Sequence, residues 1–295
     1  MDPEVEQVAA FLATHALLLL GLGIVAALGA ALLTIVAVRA LGRLEPSLRP
    51  LAAALVARVR DIDILDHLLS RSRLLVPSSY VALHLVIGLT VTAAVAAFIV
   101  IAQEVGGGRE VVAFDLAFAR ALQRTITPGA EQVFSIISLL GRFEAIGLVT
   151  VVVAIVLLGK GRRLLAGAWV AANAGGALLN LALKNVFERA RPEFADAALA
   201  ASSWSFPSGH AMGTFVLCGL GSYLLLRDRP SWAVAALVIA TSLSWCLVMG
   251  FSRLYLGVHF ASDVVAGAVA GAAWVAVCVS ALEAVGRREE TAGSR

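Results

Sequence analysis

Apolar residues in this chain gather into uninterrupted blocks of about 18 or more, the length a helix needs to cross roughly 30 Å of hydrocarbon. Seven such blocks can be read, at about 11–38, 74–102, 143–159, 164–183, 211–226, 232–251 and 263–282. The fold class they predict is all-α, a polytopic membrane helical bundle with seven transmembrane helices. Composition agrees, since 60% of the 295 residues are hydrophobic and 15% charged, against about 45–50% and about 25% in soluble domains. Disordered chains, disulfide-stapled secreted domains and ordinary cytosolic enzymes are thereby excluded.

The net charge is only +3 despite a pI near 9.0, and no nucleic-acid partner is expected. Cys218, Cys246 and Cys278 each lie inside an apolar block and read as small hydrophobes rather than as a disulfide framework or zinc site. Lys160 and Lys184 are the only lysines among 23 basic residues, a bias associated with GC-rich genomes and hence a bacterial source. The first block follows Asp2, Glu4 and Glu6 with no basic residue before it, so it reads as a retained helix and not as a signal peptide.

Basic loops stay cytoplasmic, so Lys and Arg set the orientation. Residues 39–73 hold seven arginines; Lys160, Arg162 and Arg163, then Arg227 and Arg229, then Arg287, Arg288 and Arg295 mark three further segments. These four segments carry 15 of the 23 basic residues. The expected topology puts the N-terminus outside and the C-terminus inside. Two connections have their own periodicity. Leu51, Leu55, Val59, Ile62, Leu65 and Leu69 predict a helix in the cytoplasmic interface. After Gly106-Gly107-Gly108, residues 111–126 predict an outer interfacial helix ending at Pro128-Gly129.

Ionisable residues kept at the edge of an apolar bundle are functional candidates by default, and three outer connections hold them in compact sets. In 184–192, Lys184 and Arg191 are seven apart and aim two cations at one volume, with Pro192 turning the chain. In 206–210, Ser208 is a good N-cap, Gly209 lets a ligand approach the backbone, and His210 falls in the first turn beside the free amides of a helix start. In 252–263, His259 and Asp263 are spaced i, i+4, so the carboxylate can hold one ring nitrogen and leave the other free, while Arg253 adds a third cation. Together they suit phosphoryl transfer without a metal, because guanidinium groups can stabilise the charge that magnesium stabilises elsewhere.

These three sets resemble the three-part signature of the type 2 phosphatidic acid phosphatase superfamily. The resemblance implies a six-span core over about 74–285 and does not explain residues 1–73, read as an N-terminal transmembrane helix and cytoplasmic interfacial segment; residues 286–295 are read as a cytoplasmic tail. The resemblance also implies a transmembrane lipid phosphatase with its pocket on the non-cytoplasmic side, where the charge distribution independently puts all three sets; with the bacterial source read from the lysine bias, that is the periplasmic face of the inner membrane. It further implies that His259 attacks phosphorus, Asp263 orients it and His210 protonates the leaving oxygen. Lys184, Arg191, Ser208, Gly209 and Arg253 would hold the phosphoryl oxygens. No metal or cofactor is expected, and the expected partners are a lipid phosphate or diphosphate and the surrounding membrane lipids. Undecaprenyl diphosphate and phosphatidate-type lipids both fit. A phosphotransferase using the same intermediate, and a transporter or scramblase that binds headgroups without chemistry, are the alternatives.

A lone arginine at a membrane edge is more often a snorkelling anchor than a ligand, so Arg120, Arg124, Arg142 and Arg189 are expected to be structural. Glu188 either pairs with Arg189 or shapes the pocket. Trp204, Tyr255, Tyr80 and Trp232 are expected in the interfacial aromatic belt, and His15, His67 and His84 as interfacial or packing residues. Gly175-Gly176-Ala177 and residues 267–273 predict close helix packing.

Overall fold

The computed structural model describes residues 3–29, 32, 36, 78–193, 203–228 and 231–293, and all its regular elements are helices. In chain order they are α1 (Pro3–Thr14), α2 (Ala16–Gly29), α3 (Ser78–Gly107), α4 (Arg109–Gln123), α5 (Pro128–Leu139), α6 (Phe143–Gly159), α7 (Arg163–Phe187), α8 (Gly209–Leu226), α9 (Trp232–Tyr255) and α10 (Ala261–Gly293). Five of the described helices are individually long and apolar enough to cross a membrane, and the number reaches seven when two bent pairs each count as one span. The expected interfacial helix at 51–69, His67, and the side chains of Tyr80 and Trp232 lie outside the described residues.

Both bent pairs depart from the sequence reading. The first apolar block is not one straight helix: it begins inside α1, which ends at Thr14 and meets α2 at 71°. Thr14 Oγ1 donates to the Ala10 carbonyl at 2.8 Å, and His15 Nδ1 lies 2.9 Å from the Phe11 carbonyl. Side chains that hydrogen-bond carbonyls four residues back bend helices in this way. The second pair contains α5, a stretch to which the sequence reading assigned no element; it starts on Pro128 at N1, bends 45° and continues as α6. A helix is found where one was expected over 111–126, as α4, and the expected short tail is a helical continuation of α10 through Gly293.

All three chemical sets lie at one end of the bundle, where α7 and α9 finish and α8 and α10 begin. Lys160, Arg162, Arg163 and Arg227 lie at the opposite end, where Arg162 pairs with Asp228 at 3.1 Å. Bulky side chains such as Phe143, Leu148 and Leu89 point outward. Indole N–H groups within the spans find internal acceptors, as hydrocarbon requires. Trp169 Nε1 donates to the Thr150 carbonyl at 3.0 Å and Trp274 Nε1 to the Ala172 carbonyl at 2.8 Å.

Small residues bring backbones together where the site is built. A Cβ on Gly267 of α10 would fall 2.5 Å from the Ser208 carbonyl oxygen, and one on Gly271 would fall 3.0 Å from the Met212 carbonyl. The Gly267-x-x-x-Gly271 pair thus seats α10 directly on the start of α8. Gly175 and Gly176 likewise receive the Trp274 ring. Replacing Gly267 with alanine is expected to lower the detergent melting temperature, with an overpacking cost of about 1–3 kcal/mol. Gly221→Ala, at a site with open space around it, should leave the melting temperature unchanged or raise it.

Candidate active site

Helix ends supply the charge pattern. Lys184 is in the last turn of α7 and Arg253 in the last turn of α9, positions where the C-terminal end of the helix dipole favours cations. Ser208 caps α8, its Oγ accepting from the Ala211 amide at 3.5 Å, so the first amides of α8 face the same volume. The left-handed Glu188 ends α7 and sends the chain back across the site. Arg191 is therefore not on a continuing helix, yet both it and Lys184 reach Ser203, whose hydroxyl lies 3.4 Å from Lys184 Nζ and 3.5 Å from Arg191 Nη2.

Lys184, Arg253, Ser208, His259 and Asp263 are all buried. Lys184 Nζ also donates to the Trp204 carbonyl, and Arg253 Nη1 donates to Ser138 Oγ of α5. Arg253 Nε and His210 Nε2 are buried without a hydrogen-bond partner among the described residues. Gly209 lies flat beside Asn180, whose Nδ2 donates to the Pro207 carbonyl at 3.3 Å. The His210 ring lies against Gly141, where a Cβ would come within 2.8 Å of its Cδ2.

The two sides of His259 fix its tautomer. Arg191 Nη1 lies 3.2 Å from His259 Nε2, and a guanidinium can only donate, so Nε2 presents its lone pair. The ring hydrogen then sits on Nδ1, which faces Asp263 Oδ2 at 3.3 Å and Ser205 Oγ at 3.3 Å. Burial pushes the His259 pKa down to about 3, against the opposing pull of Asp263, and the imidazole is neutral at pH 7. Burial also lowers the Arg191 pKa, again partly offset by Asp263.

Asp263 is held from every side. Its carboxylate accepts from Ser205 Oγ, from the Phe260 amide at 2.9 Å and from Arg189 Nη1 at 2.6 Å, while its backbone carbonyl accepts from the Ser208 amide at 2.9 Å. Ser205 and Asp115 are the two site residues that the sequence reading missed. Ser205 carries no local signal; its role comes from the fold alone. Asp115 did have one, since it is the acid on the inward face of α4, aligned with Ala119 and Leu122, all three buried.

Three expectations need correction. Arg189 is not a snorkelling anchor: it is nearly buried, paired with Asp263 and, at 2.8 Å, with Asp115, because two carboxylates there need a cation. Glu188 does not pair with Arg189 and is exposed. Tyr255 is not in an aromatic belt but 2% exposed, with its hydroxyl accepting from the Thr127 amide at 3.1 Å. Arg120, Arg124 and Arg142 are exposed, as an anchoring role requires. No group of three or more His, Cys, Asp or Glu that could hold a metal comes together among the described residues.

A family model for the PAP2 superfamily, the type 2 phosphatidic acid phosphatases, matches residues 165–287, the stretch that carries all three sets. Residues 165–287 form a PAP2-superfamily domain. This chain is 40% identical over 97 residues to phosphatidylglycerophosphatase B of Bacillus subtilis, covering 30% of its own length and 44% of that protein. It is 31% identical over 85 residues to an undecaprenyl-diphosphatase of Sulfolobus acidocaldarius, covering 29% and 36%. The chain thus spans less than half the length of either curated relative. Among solved structures, a transmembrane PAP2-type phosphatidylglycerolphosphate phosphatase from Bacillus subtilis superposes with a TM-score of 0.60 at 26% identity, over 64% of this chain and 94% of that one. The superposed part of this chain therefore shares the helical fold of that transmembrane structure.

Proposed function

We propose that this protein is a metal-independent phosphohydrolase of the bacterial inner membrane, acting on a lipid phosphate or diphosphate through a phosphohistidine at the periplasmic face. The observation that carries this reading is His259, whose Nε2 lone pair is aimed at the Arg191 guanidinium while Asp263 holds Nδ1. The concentration of Lys160, Arg162, Arg163 and Arg227 at the far end of the bundle supports the orientation. An apolar cleft of about 250 Å³ between α3, α7 and α10 supports a substrate with hydrocarbon chains. It is lined by Val91, Phe98, Leu179, Leu183, Ala270 and Trp274, and Leu183 adjoins Lys184. The names of the curated relatives point to the same substrate class.

In this reading the phosphoryl oxygens take the place now occupied by internal partners of Lys184 and Arg191, with Arg253 Nε and the amides from Ser208 onward completing the cradle. His259 Nε2 forms a bond to phosphorus as the bond to the leaving oxygen breaks, and His210 delivers a proton to that oxygen. His210, then neutral, accepts a proton from water. The resulting hydroxide oxygen attacks phosphorus, breaks the P–N bond and restores His259.

Phosphate release from undecaprenyl diphosphate and phosphatidate, measured side by side in detergent with EDTA present, tests the reading. Metal-independent release supports it, and the ratio of rates names the substrate class; lipid-bound phosphate appearing on an alcohol acceptor would favour phosphotransfer. The leaving group gives a second test. An alkoxide leaving from a monoester needs a proton more than a phosphate leaving from a diphosphate, so His210→Ala should cost roughly 100-fold or more on phosphatidate and clearly less on the diphosphate. Equal losses on both would remove His210 from the acid role.

A further inference from the structure

α4 is an amphipathic helix outside the matched domain, yet it delivers a buried carboxylate to the start of α10. Asp115 is 1% exposed. Its Oδ1 accepts from the Ser262 amide at 3.1 Å, and its Oδ2 accepts from Ser262 Oγ and from Arg189 Nη2 at 2.8 Å. Arg189 uses its other terminal nitrogen on Asp263 Oδ1 at 2.6 Å and on Ser262 Oγ at 2.7 Å, and its guanidinium lies 4.4 Å from the centre of the Phe260 ring. One guanidinium thus bridges two carboxylates, and one of these also satisfies an otherwise open amide at the N-terminus of α10.

Neither Asp115 nor Arg189 contacts the nucleophilic nitrogen. Both act on Asp263, which fixes the ring that carries it. We infer that Asp115, through Arg189, is a positioning residue for the reaction: it locks the Asp263 carboxylate, and with it the His259 ring, in the orientation that aims Nε2 at phosphorus. This rests on the phosphohydrolase reading and extends it to a helix outside the signature. The phosphate cradle of Lys184, Arg191, Arg253 and Ser208 shares no hydrogen bond with Asp115. Loss of the lock should therefore lower turnover and leave anion binding alone.

The test uses full-length protein in detergent with three variants, Asp115→Asn, Arg189→Gln and the double substitution. Asparagine keeps the acceptor for the Ser262 amide and removes the charge. Each single variant should lose roughly 10- to 100-fold in kcat, the effect of a displacement of about 1 Å at a reacting group, with KM and product inhibition by inorganic phosphate within about twofold of the parent. The double variant should be no worse than the poorer single, because the two residues act as one unit. An Asp115→Asn enzyme with more than half the parent kcat, multiplicative losses, or an equal loss in phosphate binding would overturn the inference. Binding of orthovanadate, measured by calorimetry, needs no turnover and depends on an aimed nitrogen because vanadium takes a fifth ligand. If the parent releases no phosphate, the hydrolase reading fails while the lock stands on this measurement: Asp115→Asn should weaken vanadate at least tenfold and phosphate little, and equal weakening of both would sink it.

Discussion

His259→Ala is expected to abolish phosphate release from every lipid substrate, a loss of about 10⁴-fold or more, since no other group can form the covalent intermediate. Lys184, Arg191 and Arg253 remain in this variant, so it should still bind inorganic phosphate. A headgroup transporter would behave differently, losing little function with the imidazole. Because burial holds the His259 pKa near 3, the nucleophile stays unprotonated from neutral pH down to about pH 4, and ³²P from a labelled lipid should be trapped on the protein at pH 5 as well as at pH 7. The same shift has a stability consequence of fixed sign. Between about pH 6.5 and 3 the unfolded chain takes up a proton that folded His259 refuses, so stability falls as pH falls through that window. His259→Gln should flatten that part of the pH dependence, as read by melting in detergent.

Asp263→Asn should approach the same severity, at roughly 10⁴-fold in kcat, the magnitude found when an orienting carboxylate becomes an amide beside a catalytic imidazole. Here the reason is a count of donors. Ser205 Oγ, the Phe260 amide, Arg189 Nη1 and His259 Nδ1 all point at Asp263, and asparagine must turn an NH₂ group toward one oxygen's share of them. Either Arg189 is left facing a donor, or His259 is pushed into the tautomer with hydrogen on Nε2, which is not nucleophilic. An Asp263→Asn enzyme within tenfold of the parent, folded by its melting curve, would mean that Arg191 alone fixes the ring.

The apolar blocks made the spans legible because block length answers directly to bilayer thickness. The bends were not legible: nothing in 128–139 announces a helix that stops at Leu140 and restarts at Phe143, since the turn is set by how Gly141 fits against His210 and Met249. In the site, the residues inside the three sets could be read because their spacing encodes a shared face or a helix start. Ser205 and Asp115 could not be assigned roles, because their partners lie 58 and 147 residues away. Arg189 shows the same limit from the other side, for a lone arginine at a membrane edge looks like an anchor until the carboxylates across the fold, Asp115 and Asp263, are known.

The Gly267–Gly271 seam has a consequence for engineering. Where α10 rests on the backbone of Ser208 and Met212 without a side chain between them, the two helices are cut to each other's contours, and α9 joins them in the chain. Chimaeras between this protein and relatives with other lipid preferences should exchange α8 through α10 as one cassette. A crossover placed between α8 and α10 would join halves shaped to different partners, and the proton donor and the nucleophile would then be inherited from scaffolds that never met.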